Sequence, residues 1–315
     1  MNVTSQARRL VAPVGRPLRR AAVGLRTRGW APHSHLFIEQ EAAEWVLSYE
    51  ARQLARTATA LGVALGPRAW GRGIGNQAVF HLSQFTLLLH DFERAGNHLG
   101  FSYFHGRPGT PGMPEFDACF ETMRRRHAEI DRIQVTNREM EALVLSTGIA
   151  REKVHRIPIG IDVEVFRARD DASRQAARAR FDLPDSAFVV GSFQKDGVGW
   201  EEGLEPKLIK GPDVLLSVAE RVAERLPDLH VLLTGPARGY VRAGLERLGV
   251  PYRHAFLPDV DSLADVYPAI DVCLVASPST RAPRAGRAVA EGNSYDALRP
   301  RWSALLDGFV TLPEA

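Results

Sequence analysis

Short apolar runs alternate with segments of helical periodicity along most of this 315-residue chain. An apolar run at His35–Glu39 precedes apolar residues at helical spacing between Ala42 and Leu61, and the pair Leu229–Thr234 and Tyr240–Leu248 repeats the pattern. Strands that alternate with helices are joined by crossovers, which make neighbouring strands parallel. The sequence therefore predicts an α/β protein with doubly wound, Rossmann-like sheets.

The composition is that of a globular protein with room for two domains. Hydrophobic residues make up 45% of the chain and charged residues 24%, and no apolar run approaches the roughly 20 residues that cross a bilayer. Cys119 and Cys273 lie far apart in apolar patterns, which favours two buried thiols and a cytoplasmic protein. No His/Cys cluster has metal-ligand spacing, so no metal site is expected.

The segment 1–34 contains seven arginines and no acidic residue. Subtracting these seven charges from the net charge of +3 leaves −4 for the rest, so the pI of about 9.0 arises from this segment. Pro13 and Pro17 argue against one continuous helix. A disordered extension is the favoured interpretation, and contact with an anionic membrane surface at the inner face is the second. Nucleic acid is not expected, because no aromatic residues are interleaved with the arginines.

The most informative run begins with a buried strand at Phe188–Val190 and ends where a helix begins, after residue 211. A glycine-rich loop with basic residues joins the two. Its notable positions are Gly191, Gln194, Lys195, Lys210 and Gly211, and Lys207 joins Lys210 just before the helix. Backbone N–H groups, the helix dipole and ammonium groups would converge there, which favours an anion and most simply a diphosphate. Spacing alone slightly favours an ordinary strand-to-helix loop whose lysines lie in solvent.

The order of strand, glycine, basic residue and Lys-Gly before a helix resembles the donor-binding domain of the glycosyl transferases group 1, or family 4. Three other stretches resemble the same group: the run Ile157-Pro-Ile-Gly-Ile-Asp162, the strand ending in Gly235-Pro236, and the strand ending at Ser277. The resemblance covers roughly Leu36 to Ser277. It implies the GT-B fold of two Rossmann-like domains, and metal-independent transfer of a sugar, with retention, from a nucleotide-diphosphate sugar to a glycan or lipid-linked acceptor.

The resemblance also implies roles for individual residues. Lys195 and Lys210 would hold the donor diphosphate and stabilise its charge as it leaves, with Gly191, Gln194 and Gly211 completing the donor site. His105 ends a predicted strand, and the resemblance implies that it contacts the sugar and the developing charge. Gly106 and Arg107 would lie on the acceptor side. A packed or surface histidine in a glycine-proline turn is the alternative for His105.

The chain departs from the family after Ser277. The family continues there with Glu-Gly-Gly-Pro and a helix bearing two glutamates that hold the donor, whereas from Val250 onward this chain has only Glu291 and Glu314. An internal deletion in the donor domain is the simplest interpretation, and it would expose the edge of the strand at 271–276. A non-catalytic remnant that binds a glycan, a lipid headgroup or a protein is therefore the alternative function. An NAD-dependent oxidoreductase is less favoured, because Gly71–Gly75 follows no clear strand.

The predicted organisation has five parts. These are a basic, disordered extension at 1–34, an acceptor-side Rossmann-like domain at 35–166, a linker at 167–187, a truncated nucleotide-sugar domain at 188–287 and a crossover helix at 288–315. Helical spacing from Tyr295 to Phe309 defines the last part.

Overall fold

The structure is a computed structural model that describes residues 18, 20–40, 46–67, 70–88, 96–167, 170–257, 261–276 and 291–312. These residues divide into two compact units. The first contains the residues up to 161 together with those from 291 onward, and the second contains residues 162–276.

The first unit is a six-stranded parallel sheet with helices on both faces. Its order is β2-β1-β3-β4-β5-β6. The strands are β1 (His35–Glu39), β2 (Ala64–Leu65), β3 (Ala78–His81), β4 (His98–Tyr103), β5 (Arg132–Val135) and β6 (Val154–Arg156), and the helices are α1 (Val46–Ala60), α2 (Pro114–Arg126), α3 (Arg138–Leu145) and, from the end of the chain, α7 (Tyr295–Leu306). Helix α3 is capped by Asn137, whose side chain accepts a hydrogen bond from the Met140 N–H at 2.9 Å.

Alternate residues of each strand supply the two cores of this unit. Phe37 and Val79 belong to one core, and their neighbours Leu36 and Phe80 belong to the other. Helix α7 covers the second face, where Trp302 packs edge-on against Phe80 with ring centroids 6.0 Å apart. The chain between 291 and 312 thus completes the first unit.

The second unit is a four-stranded parallel sheet in the order β10-β7-β8-β9. Its strands are β7 (Phe188–Ser192), β8 (Leu229–Thr234), β9 (Tyr252–Ala255) and β10 (Val272–Cys273), and its helices are α4 (Asp171–Arg180), α5 (Pro212–Ala223) and α6 (Gly239–Leu248). Val190 faces a core formed with α5 and α6, and Val189 faces a core formed with α4. Two parallel sheets with cores on both faces confirm the predicted α/β, Rossmann-like fold.

Helix α4 lies inside the segment 167–187 that the sequence predicts to be a linker, and the prediction is wrong there. The helix begins at the cap Asp170, which accepts a hydrogen bond from the Ser173 N–H at 2.9 Å. Arg174 and Arg178 then pair with Asp271, just before β10, at 2.5 and 2.8 Å. The segment is therefore an integral part of the second unit.

The described part of segment 1–34 is also ordered, contrary to prediction. Residues 20–26 are helical, and Val23 is buried in the core that contains Phe37. Trp30 stacks on His35 with ring centroids 3.8 Å apart. Residues 1–17 and 19 lie outside the described residues, so the predicted extension is untested there.

The strand predicted at 271–276 forms ladder pairs only at Val272 and Cys273, at the edge of the sheet beside β7. Both residues are exposed, which corrects the prediction that Cys273 is buried; Cys119 is buried as predicted. The predicted deletion site at 278–287 lies outside the described residues. None of the described helices has the length and apolar character of a membrane span, and within the same residues no three His, Cys, Asp or Glu side chains group as metal ligands.

Candidate functional site

Strand β7 marks the position where the chain order of the second sheet reverses. β8 and β9 follow on one side, and β10 lies on the other. In open parallel sheets, ligands bind at the carboxyl ends of the strands that flank such a reversal. Gly211, which precedes α5, lies beside this point, because a Cβ there would be 2.1 Å from the carbonyl oxygen of Ala276. Its φ of +67° also favours glycine.

The loop that follows β7 folds back on itself as a short hairpin. The Val198 N–H donates to the Glu205 carbonyl at 2.9 Å, and the Lys207 N–H donates to the Asp196 carbonyl at 2.7 Å. Lys207 therefore returns to the neighbourhood of Lys195, although twelve positions separate them in sequence. We refer to residues 193–207 as the β7 hairpin.

A side-chain hydrogen bond joins the β7 hairpin to the start of α5. The Gln194 side-chain amide donates to the Lys210 carbonyl at 2.6 Å. The predicted donor residues Gly191, Gln194, Lys195, Lys210 and Gly211 are thus grouped at the carboxyl end of β7. The hydrogen bond joins the Gln194 side chain to the backbone of residue 210, and the role of these residues in binding stays a prediction.

Three ammonium groups, those of Lys195, Lys207 and Lys210, share this end of the sheet. Burial lowers the pKa of Lys195 and of Lys210, and the positive charge of Lys207 lowers both further. Lys195 Nζ lies 3.8 Å from the ring centroid of Trp200, a cation–π contact with an exposed indole. Among the described residues no carboxylate forms an ion pair with any of the three ammonium groups.

A buried ion pair fixes the hairpin to the sheet. Arg238 Nε lies 3.0 Å from Asp196 Oδ1, and both side chains are fully buried. The same guanidinium donates to the Ser192 and Thr234 carbonyls at 2.8 and 2.9 Å, which joins the ends of β7 and β8. Burial raises the pKa of Asp196, and the charge of Arg238 opposes that shift. The carboxylate adjacent to Lys195 is thereby held in place.

The two helices that follow the hairpin differ at their N-termini. The N–H groups of Gly239 and Tyr240 in α6 donate to the carbonyls of Glu202 and Gly203, so the hairpin itself occupies that helix end. Helix α5 begins after Gly211 with no side-chain cap. The positive end of its dipole therefore adds to the lysine cluster, although Asp213 in the first turn offsets part of it.

The predicted sugar and acceptor residues lie in the first unit, after β4. His105 is exposed, and its ring packs edge-on against Phe116 at 5.6 Å. Gly106 has φ +102°, and a Cβ there would be 2.5 Å from the Phe116 ring. Arg107 Nε pairs with Glu139 at 2.6 Å, which raises the pKa of Arg107 and holds a side chain that was predicted to contact the acceptor.

The sequence analysis places Lys207 in the loop before the helix without giving it a role, and it misses Arg238. One signal could have given Lys207 a role: the chain has only four lysines among its 40 basic residues, and three of them are in this cluster. Arg238 has no comparable signal, because its partner Asp196 lies 42 residues earlier and outside any periodic pattern.

Comparison with known proteins finds relatives that match only part of this chain. No model of a protein family matches the chain. The chain is 35% identical over 162 residues to the D-inositol 3-phosphate glycosyltransferase of Segniliparus rotundus. The aligned region covers 48% of this chain and 32% of that protein. The chain thus spans about a third of the length of the curated relatives it matches.

Solved structures show the same fold at low identity. The sucrose-phosphate synthase of Thermosynechococcus elongatus superposes with a TM-score of 0.55 at 14% identity, over 87% of this chain and 96% of that one. Anabaena Alr3699/HepE in complex with UDP and glucose superposes with a TM-score of 0.53 at 14% identity, over 76% of this chain and 73% of that one. The fold is that of the GT-B glycosyltransferases, with two Rossmann-like units.

Proposed function

The chain is related to the glycosyltransferases of the GT-B fold, and we propose that it binds a nucleotide-diphosphate sugar and transfers the sugar, with retention, to a glycan or lipid-linked acceptor. The observation on which this proposal depends is the cluster of Lys195, Lys207 and Lys210 at the chain reversal beside β7. Three cations that have no ion-pair partner in the described part of the chain, next to a helix N-terminus without a side-chain cap, match the charge and hydrogen-bonding needs of a diphosphate.

The proposed catalytic role of the lysine cluster is electrostatic. As the glycosidic bond lengthens, negative charge accumulates on the departing diphosphate, and fixed cations stabilise that charge more than they stabilise the intact donor. Lys195 and Lys210 are the proposed catalytic groups of the second unit. His105 is the proposed contact for the sugar and its developing charge, and Gly106 and Arg107 form the proposed acceptor side.

The first test is calorimetry of UDP binding to the wild type and to Lys195→Gln and Lys210→Gln. A charge-assisted hydrogen bond contributes about 1.5–3 kcal/mol, so we expect each substitution to weaken binding by at least tenfold. UDP affinity that is the same in both variants as in the wild type would refute the assignment. A UDP-sugar hydrolysis assay on the same proteins then measures turnover separately from binding.

A second candidate function is a non-catalytic remnant that binds a glycan, a lipid headgroup or a protein. The observation in its favour is that Ser277 is not followed by the family's Glu-Gly-Gly-Pro run, and that Glu291 and Glu314 are the only glutamates between Val250 and Ala315. The exposed edge formed by Val272 and Cys273 is consistent with a shortened donor domain. UDP binding without any turnover of UDP-sugars would favour this alternative.

A further inference from the structure

Lysine is rare in this chain and concentrated in one place. Of 40 basic residues, 36 are arginines, and the lysines are Lys153, Lys195, Lys207 and Lys210. Lys153 lies in the first unit, where its ammonium group donates to the Ile130 carbonyl at 2.8 Å. Arginine therefore supplies nearly all of the basic side chains of this protein. The β7 end of the second sheet instead carries lysines, whose ammonium groups are compact.

Lys207 lies between the other two members of the cluster. Its N–H donates to the carbonyl of Asp196, the neighbour of Lys195, and its carbonyl accepts a hydrogen bond from the Lys210 N–H at 2.8 Å. Its charge lowers the pKa of both Lys195 and Lys210. Lys207 is therefore joined through its backbone both to the neighbour of Lys195 and to Lys210, although the family resemblance assigns it no role.

A structural role does not account for the Lys207 side chain. Within the described chain its ammonium group has neither a hydrogen-bond acceptor nor an ion-pair partner, and its positive charge repels those of Lys195 and Lys210. The hairpin is instead held by backbone hydrogen bonds and by the buried pair of Arg238 and Asp196. Lys207 is half-buried, and a bound anion would supply the partner that its ammonium group lacks among the described residues.

We propose that Lys207 is a third ligand of the donor diphosphate, placed by the β7 hairpin between Lys195 and Lys210. This inference rests on the proposed function. A diphosphate that has lost its sugar gains a negative charge relative to the sugar ester, so a third cation favours the departing diphosphate over the intact donor. Lys207 is therefore expected to contribute more to the binding of UDP than to that of a UDP-sugar.

The test is calorimetry of UDP, UDP-glucose and inorganic pyrophosphate binding to three variants. Lys207→Gln should weaken UDP and pyrophosphate binding about tenfold, and UDP-glucose binding less. Lys207→Arg should recover most of the loss. Lys153→Gln, which removes the one lysine outside the cluster, should bind like the wild type. UDP affinity of Lys207→Gln equal to that of Lys153→Gln, in proteins with the same circular dichroism, would overturn the inference while leaving the proposed function intact.

A labelling experiment on the wild-type protein avoids any effect of substitution. An amine-reactive acetylating reagent is applied with and without saturating UDP, and modification of each lysine is followed by mass spectrometry. We expect UDP to protect Lys195, Lys207 and Lys210 and to leave Lys153 as reactive as before. Protection of Lys195 and Lys210 without Lys207 would contradict the third-ligand inference. Protection of none of the three would refute the proposed diphosphate site as well.

Discussion

Arg238 Nε lies 3.0 Å from Asp196 Oδ1 in an ion pair whose two side chains are fully buried under the β7 hairpin. The pair connects the ends of β7 and β8 to the residue that follows Lys195. Its position makes the geometry of the lysine cluster dependent on a contact that no local sequence pattern encodes.

Breaking this pair should destabilise the second unit. Arg238→Met leaves the Asp196 carboxylate buried without its partner, and such losses cost about 3–5 kcal/mol. Denaturant unfolding followed by circular dichroism measures the change. Arg180 and Asp265 form a matched control, because their ion pair is also 3.0 Å long but both side chains are about half exposed. Arg180→Met should cost less than about 1 kcal/mol, and equal losses in the two variants would contradict the account.

The interaction between Asp271 and helix α4 should make the free energy of unfolding decrease as the pH becomes acidic. Burial alone raises the pKa of Asp271, but the Val189 N–H bond and the charges of Arg174 and Arg178 outweigh it, and the net pKa is lowered. A carboxylate with a depressed pKa stabilises the fold above its unfolded pKa of about 3.9, and this contribution is lost as pH falls through the folded pKa.

Asp271→Asn removes the titrating group, so its unfolding free energy should fall less than that of the wild type between pH 6 and pH 3. Asp265→Asn, at an exposed position of the same unit, serves as the control. Urea unfolding across this pH range tests the prediction. An acid dependence in Asp271→Asn as steep as in the wild type would contradict it.

Diphosphate binding should weaken as pH rises. The loss should occur at a lower pH than it would if the lysines of the cluster had the ordinary pKa of a lysine. Burial lowers the pKa of Lys195 and of Lys210, so their charges are lost at a lower pH than in a free side chain. The charge of Lys207 is a second cause of both shifts, and Lys207→Gln should therefore move the loss of affinity to higher pH. Titration of pyrophosphate between pH 7 and pH 10 measures this displacement, and a shift to lower pH would be the wrong sign.

Gly211 should not tolerate a side chain. A Cβ would meet the Ala276 carbonyl oxygen at 2.1 Å, and the φ of +67° adds strain. Gly199 offers a control in the same hairpin region, since it has φ +77° but open space around its Cα. We expect Gly211→Ala to lower the melting temperature and UDP affinity more than Gly199→Ala, which carries the backbone strain alone. Equal effects would show that the contact with Ala276 is unimportant.

His105 should affect turnover and leave diphosphate binding unchanged. It lies after β4 in the first unit, whereas the lysine cluster belongs to the second. If His105 contacts the sugar as proposed, His105→Ala should slow UDP-sugar turnover at unaltered UDP affinity. His127→Ala, at an exposed histidine after α2, is the control. Wild-type turnover in His105→Ala would remove His105 from the site.

The strands were predictable because local chemistry determines them. Apolar runs that end at a glycine or a loop form buried parallel strands. The strands Phe188–Ser192 and Leu229–Thr234 arise from such runs. Helix α4 was missed because its buried positions are Ala177 and Arg178, which produce no apolar periodicity. Arg178 can be buried because it pairs with Asp271, 93 residues later, and donates to the Pro184 and Asp185 carbonyls.

The candidate site was predictable in part for the same reason. Lys195, Lys210 and Gly211 flank a strand end and a helix start, and local patterns identify both positions. Lys207 enters the cluster only through the fold of the β7 hairpin, which depends on the buried pair of Arg238 and Asp196. Contacts of this kind join distant positions and cannot be inferred from spacing along the chain.

The most direct test of the central claim is calorimetric titration of UDP into the wild-type protein and into Lys195→Gln, Lys207→Gln and Lys210→Gln, with Lys153→Gln as the control. A diphosphate site at the end of β7 predicts that the wild type and Lys153→Gln bind UDP alike, and that each cluster variant binds at least several-fold more weakly. Equal UDP affinity in all five proteins, or no UDP binding by the wild type, would contradict it.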